Sequence, residues 1–187
     1  MDKIETQRLV LRNFQKQDAR GLFEYLREPT ASCFLSLSLK DMSAAEAEAQ
    51  RRSADDESIA VCLKGSGKLI GDLFAVPEED TFSIGWNFNP AFGGNGYAFE
   101  AATALIAYLF TARAARRLYA YVEDHNKPSR RLCEKLGMRQ EGLFREFVSF
   151  KKDDDGVPIY ENTMQYALLR KEWETGSATI TPQLNRS

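Results

Sequence analysis

The sequence predicts a mixed α/β fold: a central, mostly antiparallel, splayed sheet of about six to seven strands with helices on both faces. Apolar residues alternate with a period of two through residues 58–88, the mark of consecutive half-buried strands. The spacing switches to helical between residues 98 and 110, and strand and helix patterns interchange beyond it.

Within residues 8–14, Leu9 and Leu11 share a face, as a half-buried strand requires. Ala19, Leu22, Phe23 and Leu26 recur at helical spacing until Pro29 ends the pattern. A second, polar helix is expected over residues 43–52, with Ser43 as its cap and Glu46 completing a capping box. Three strands should follow at residues 58–63, 69–76 and 82–88, joined by the Gly65-Ser66-Gly67-Lys68 turn and an acidic turn. In the third, Phe82, Ile84, Trp86 and Phe88 alternate with smaller or polar residues. The helix over 98–110 carries a stripe of Ala101, Ala102, Leu105, Ile106, Leu109 and Phe110 that must lie on a sheet. A strand at 118–122, a helix at 126–136 closed by Gly137, and strands at 141–150 and 160–169 complete the pattern. The last two meet at a hairpin turn, Asp153-Asp154-Asp155-Gly156. Residues 1–173 read as one domain, and residues 174–187 as a flexible C-terminal tail.

The 187 residues, 43% apolar, suit one domain with a real core. A net charge of -2 offers no basic stripe for phosphates, so no nucleic-acid partner is expected. The apolar run near residues 101–110 is amphipathic and too short to cross a bilayer, and the N-terminus has no hydrophobic signal core. A cytoplasmic protein without a membrane partner is expected. Cys33, Cys62 and Cys133 form no CxxC pair, and with His125 as the one histidine they make no structural zinc site. They read as buried thiols, and no metal is expected.

Chemistry concentrates at residues 87–98, which run from a strand end through Gly93, Gly94 and Gly96 into the long helix. Glycines let backbone N–H groups approach an anion closely, and a helix N-terminus adds unpaired donors and partial positive charge. Pro90 adds a kink able to splay the strand from its neighbour. The same glycines also suit a plain strand-to-helix connection. The loop lacks the Gly-Lys-Ser/Thr ending of a nucleoside-triphosphate loop, and a meander rather than a βαβ unit precedes it, which excludes a dinucleotide fingerprint.

The segment Gly93-Gly94-Asn95-Gly96-Tyr97-Ala98, followed by Phe99-Glu100-Ala101, resembles the acetyl-CoA pyrophosphate loop of the GNAT superfamily, Gln/Arg-x-x-Gly-x-Gly/Ala. It departs at Gly93, where Gln or Arg is usual. Downstream, Asn126-Lys-Pro-Ser129 and the ending Glu134-Lys-Leu-Gly-Met138 resemble the superfamily's Asn-x-x-Ser helix. The start Thr6-Gln-Arg8-Leu-Val-Leu-Arg12, the pair Glu141-Gly142 with Arg145-Glu146 behind it, and the ending from Tyr166 to Trp173 resemble the ribosomal-protein N-terminal (RimJ/RimL-type) branch. The resemblance spans residues 4 to 173. It implies acetyl-CoA as acetyl donor, held by Gly93, Gly94, Asn95, Gly96, Tyr97, Ala98 and the backbone of Phe88 and Asn89, with Asn126 and Ser129 toward its pantetheine arm and thiol. It implies an amine acceptor, a protein N-terminus or a small molecule, and it allows a homodimer, for or against which no apolar stripe argues.

Direct acetyl transfer to an amine needs a base, an oxyanion donor and an acid for the departing thiolate. The backbone N–H near Phe88 is the natural oxyanion donor. Relatives often carry a Tyr acid where this chain has Cys133, so Ser129 is the substitute candidate. Glu146 is the candidate base, expected on one strand face with Val148. Asp72, Glu161 and Tyr97 are alternatives, and His125 belongs to an exposed turn. Glu46, Glu48, Asp55, Asp56 and Glu57, near the presumed acceptor side, read first as a charged surface helix and second as acids that attract a cationic amine. The departures at Gly93 and Cys133 leave one other class open: a catalytically silent acyl-CoA-binding sensor or scaffold. A transferase for longer acyl chains would need a pocket deeper than Trp86 allows.

Overall fold

A computed structural model describes residues 1–176. In chain order the elements are β1 (Ile4–Glu5), β2 (Leu9–Asn13), α1 (Ala19–Leu26), α2 (Met42–Arg52), β3 (Ser58–Leu63), β4 (Leu69–Glu78), β5 (Thr81–Phe88) and α3 (Tyr97–Thr111). There follow β6 (Arg117–Glu123), α4 (Lys127–Lys135), β7 (Arg139–Lys152), β8 (Pro158–Leu169) and α5 (Arg170–Gly176). Short 3-10 turns occupy Lys16–Asp18, Ser32–Leu37 and Pro90–Phe92.

The strands form one eight-stranded sheet in the order β1-β2-β3-β4-β5-β6-β8-β7. The strand beyond the expected seven is the two-residue β1, too short to leave a periodic signal. Every neighbouring pair is antiparallel except β5 and β6. Those two are parallel and bonded only from Thr81↔Arg117 to Ser83↔Tyr119. The splay therefore opens at Ile84, well ahead of Pro90, and divides the sheet into an arm of β1–β5 and an arm of β6, β8 and β7.

Strand alternation sends side chains to two cores. Ile59 and Val61 join Leu105, Leu109 and Phe110 of α3 and Cys133 of α4 on one face. Ala60 and Cys62 join Leu22, Tyr25 and Leu26 of α1 and Ala45 and Ala49 of α2 on the other. Each large aliphatic side chain buried this way contributes about 2 kcal/mol. The α3 stripe thus lies on the sheet as its spacing requires. Among the described residues no helix is long and apolar enough to cross a membrane.

Two helices differ from the sequence reading. The cap of α2 is Asp41, whose carboxylate accepts the Ala44 N–H at 2.8 Å, so Ser43 lies inside the first turn and the box with Glu46 does not form. At the C-terminus, the helix α5, which the sequence reading did not give, covers Arg170–Gly176 and takes in the first three residues of the expected tail at 174–176, with the Trp173 ring packed on Phe110 at a centroid distance of 5.4 Å. The remaining tail, 177–187, lies outside the described residues. The hairpin turn forms where the Asp-Gly run expects it, with Asp153 N–H donating to Val157 O at 2.9 Å and Gly156 at φ 82°.

Candidate active site

The strand β5 leads into the loop through a 3-10 turn that Asn89 braces: its side-chain oxygen accepts the Ala91 N–H at 3.0 Å. Gly94 and Gly96 both take φ +78°, a conformation that a Cβ would strain. Gly96 is the cap of α3, so the backbone turns directly into a helix whose first N–H groups have no intrahelical partner. Asn95 points its amide back into the loop, donating to Phe92 O and Gly93 O at 3.2 and 3.1 Å. Nothing lies within 4 Å of a Cβ built at Gly94, so the loop faces open space on that side. Gly93, Gly94, Asn95, Gly96, Tyr97 and Ala98 thus form a continuous loop that leads into the N-terminus of α3, where unpaired backbone N–H groups favour an anion.

A clamp holds this loop, and its parts come from opposite ends of the domain. Glu100, in the first turn of α3, accepts hydrogen bonds from Thr6 Oγ1 at 2.6 Å, Arg8 N at 2.8 Å and Arg8 Nε at 2.6 Å. Arg8 Nη1 also donates to Asn95 O at 2.9 Å, and its guanidinium stacks 4.6 Å from the Tyr97 ring centroid. Burial raises the Glu100 pKa, but the bonds from Thr6 and Arg8 outweigh it and hold the carboxyl below its ordinary value. Arg8 thereby neutralises the Glu100 carboxylate in the first turn of α3 and ties it to the loop at Asn95. The Thr6-x-Arg8 pair was visible in sequence, but its partner lies 92 residues from Arg8.

Across the splay, Trp86 Nε1 on β5 donates to Ser129 Oγ on α4 at 3.0 Å. Asn126 caps α4, its side-chain oxygen accepting the Ser129 N–H at 3.3 Å, while Asn126 Nδ2 donates to Glu123 Oε2 at 3.2 Å. Asn126 and Ser129 therefore meet beside Trp86, where α4 approaches β5. Phe88 and Asn89 separate. Asn89 donates its N–H to Ile70 O at 2.9 Å and its side chain is buried, so it supports the loop rather than offering an amide to the cleft. By strand alternation the Phe88 N–H points the other way, to the open edge of β5.

The profile of the Acetyltransferase (GNAT) domain family matches residues 8–139. This chain belongs to the GNAT acetyltransferase family. The uncharacterized N-acetyltransferase YnaD of Bacillus subtilis is 32% identical over 173 residues, covering 91% of this chain and 98% of that protein. A GNAT-family acetyltransferase structure from Bacillus anthracis superposes with a TM-score of 0.81 at 27% identity, covering 91% of this chain and 99% of that one. The alanine N-acetyltransferase of ribosomal protein uS5 from Escherichia coli is 32% identical over 93 residues, 50% of this chain and 45% of that protein. The protein is an acetyltransferase, and the silent-sensor alternative is not favoured.

In this acetyltransferase the catalytic candidates are unequally placed. Cys133 is fully buried in the core beneath α4, and burial pushes its thiol up to about 12, which suits packing rather than proton donation. Asp72 lies wholly inside the arm of β1–β5, bonded to Tyr25 OH at 2.6 Å and Arg52 Nη1 at 3.1 Å, so it cannot serve the cleft. Tyr97 is half-buried under Arg8. His125 is exposed beside Asp124. The expected alignment of Glu146 with Val148 does not hold. The β7–β8 register jumps between Phe144↔Thr163 and Val148↔Glu161, and Glu146 takes φ 47° inside that bulge. Its N–H donates to Asn162 Oδ1 at 2.9 Å, and Asn162 Nδ2 to Asp124 Oδ2 at 2.9 Å, which ties the bulge to the turn before Asn126. The acidic residues near α2 are spent locally: Glu48 on Arg51 and Arg52, Asp55 on the Ser58 N–H, and Asp56 on the N-terminal ammonium. Among the described residues no cluster of His, Cys, Asp and Glu can hold a metal ion.

Sequence reasoning missed two further groups. Glu123 ends β6 almost wholly buried, and Thr163 faces it from β8. Only the alternation of β6 hinted at Glu123, which shares a face with Tyr119 and Tyr121.

Proposed function

We propose that this acetyltransferase moves the acetyl group of acetyl-CoA to a primary amine, a protein N-terminus or a small molecule, by direct attack in a ternary complex. The observation that carries this reading is the open splay between β5 and β6, with the glycine cradle at one end and the Trp86–Ser129 hydrogen bond joining β5 to α4. When bound, acetyl-CoA supplies an activated thioester. The cradle from Gly93 to Ala98 holds the pyrophosphate, and the free edge of β5 at Phe88 meets the pantetheine arm and offers an N–H to developing oxyanion charge. Ser129, whose oxygen already accepts from Trp86, keeps its own proton for the departing thiolate. Glu146 acts as base from the bulge of β7, where its backbone takes φ 47°. A cytoplasmic setting belongs to the same reading, since the three free thiols suit a reducing compartment.

The test is coenzyme A release, followed with a thiol reagent, from acetyl-CoA and a panel of small amines, polyamines and peptides with free N-termini. Acceptor-dependent release is expected, and Gly96→Glu, which places a carboxylate at a φ +78° position in the cradle, should abolish it with the fold retained. Tight acetyl-CoA binding without release across the whole panel would overturn the transferase reading.

A further inference from the structure

The cleft floor on the arm of β6, β8 and β7 carries charge that nothing among the described residues neutralises. Paired across β6 and β8, Glu123 faces Thr163 directly, and Glu161 precedes Thr163 by two residues on the same face. The 3-10 turn Ser32–Leu37 draws both carboxylates together from above: Cys33 N–H donates to Glu123 Oε1 at 3.2 Å and Ser32 Oγ to Glu161 Oε2 at 2.7 Å. The Cys33 thiol and Asn126 Nδ2 also donate to Glu123. Among the described residues no Lys, Arg or His pairs with either carboxylate, whereas the buried Asp18 and Asp72 each have an arginine. Burial works against ionisation of Glu123, but hydrogen bonds from Cys33 and Asn126 outweigh it, so its carboxylate is charged.

Thr163 is the second, independent sign. Its side chain is only 5% exposed, it faces Glu123, and its Oγ1 has no hydrogen-bond partner among the described residues. A buried hydroxyl left unpaired costs free energy, and the buried Glu123 carboxylate with the half-buried Glu161 beside it has no cation, so the constellation is complementary to something with several N–H donors and positive charge. An alkylammonium has three such donors, enough for both carboxylates and Thr163 Oγ1. Beside this floor Tyr121, Phe144 and Phe147 form an exposed cluster, with ring centroids 5.1 to 6.1 Å apart. Their faces suit an apolar group next to a cation.

We propose that Glu123, Glu161 and Thr163 recognise the acceptor as a primary ammonium, and that Tyr121, Phe144 and Phe147 take an apolar arm attached to it. The proposal rests on the amine-acetyltransferase reading and names the substrate class: a cationic primary amine with an apolar or aromatic substituent. Ser32 and Cys33 hold the carboxylates with donors that the ammonium replaces, so the Ser32–Leu37 turn shifts as the acceptor enters. Neither glutamate is assigned proton transfer.

The probes are 2-phenylethylamine, ethylamine and phenylacetate, with binding followed by calorimetry and turnover by coenzyme A release. 2-Phenylethylamine should bind better than ethylamine, and phenylacetate not at all. Glu161→Gln, at a partly exposed position, and Glu123→Gln should each raise the Kd and the acceptor KM about tenfold, the loss expected for a charged hydrogen-bond partner, while leaving the KM for acetyl-CoA unchanged. Phe147→Ala should erase the preference for 2-phenylethylamine over ethylamine. Urea midpoints close to wild type for Glu161→Gln keep the test valid if Glu123→Gln folds poorly. Unchanged acceptor constants in Glu161→Gln, or binding of phenylacetate, would overturn the proposal while leaving the transferase reading standing. Glutamate-dependent binding of 2-phenylethylamine without turnover of any amine would instead support the site and count against the transferase reading.

Discussion

The two arms of the splayed sheet are built to opposite rules. The arm of β1–β5 is covered on both faces, by α3 on one and by α1 and α2 on the other, and its buried acids are paired: Asp18 with Arg12 and Asp72 with Arg52. On the arm of β6, β8 and β7, helices cover only the face of Leu118, Ala120 and Val122. Apart from Met42, every large apolar side chain left exposed among the described residues belongs to this arm or its hairpin turn. Among the described residues it also carries Glu123 and Glu161 without a cation and Thr163 without a partner for its hydroxyl. The first arm is a stability scaffold. The second leaves apolar surface open and, among the described residues, two carboxylates without a cation, the features on which the proposed acceptor site rests.

The sharpest way to break this contrast is to damage each arm and compare the readouts. On the scaffold, Arg52→Met leaves Asp72 buried and uncompensated, and should cost about 3 kcal/mol in urea unfolding, with the acceptor constants of the surviving folded protein unchanged. A loss below 1 kcal/mol, on the same scale, would mean that the two arms are not differently built.

A smaller effect separates the clamp from both arms. The Glu100 pKa is depressed by Thr6 and Arg8, so its stabilisation is present above the ordinary value of 4.5 and is lost as pH falls through the lower folded-state value. Wild type should therefore exceed Glu100→Gln in stability at neutral pH, and the difference should shrink once the pH drops below 4.5. A difference that is flat with pH would show that the clamp is not electrostatic. The smallest stability effect belongs to the bare face. Phe147→Ser should change stability by no more than about 0.5 kcal/mol, because the side chain is already exposed, while raising the acceptor KM. A clear loss of stability there would mark the face as core.

Much of this protein was determined by local sequence. Periods of two and 3.6 set the strands of the meander and the α3 stripe, Asn126 set the α4 cap, Gly137 its left-handed end at φ 76°, and Gly94 and Gly96 the turn of the anion loop. These features follow from backbone preferences of residues a few positions apart, so they are legible without knowing what packs where. Short-range reading failed where a neighbour competed: Asp41 took the α2 cap from Ser43, and α5 formed with Trp173 docked on Phe110. Only the tertiary structure decided the rest. Pairing in β5 and β6 opened the splay before Pro90, and the β7 bulge turned Glu146 out of register with Val148. The same long-range packing sent Asp72 into a buried ion pair, took Asn89 out of the cleft, and brought Arg8 to Glu100 and Ser32 and Cys33 to Glu161 and Glu123. The physical reason is that a side chain's partner is set by register and by the layer it faces. Residues 90 or more apart share neither until the sheet has formed.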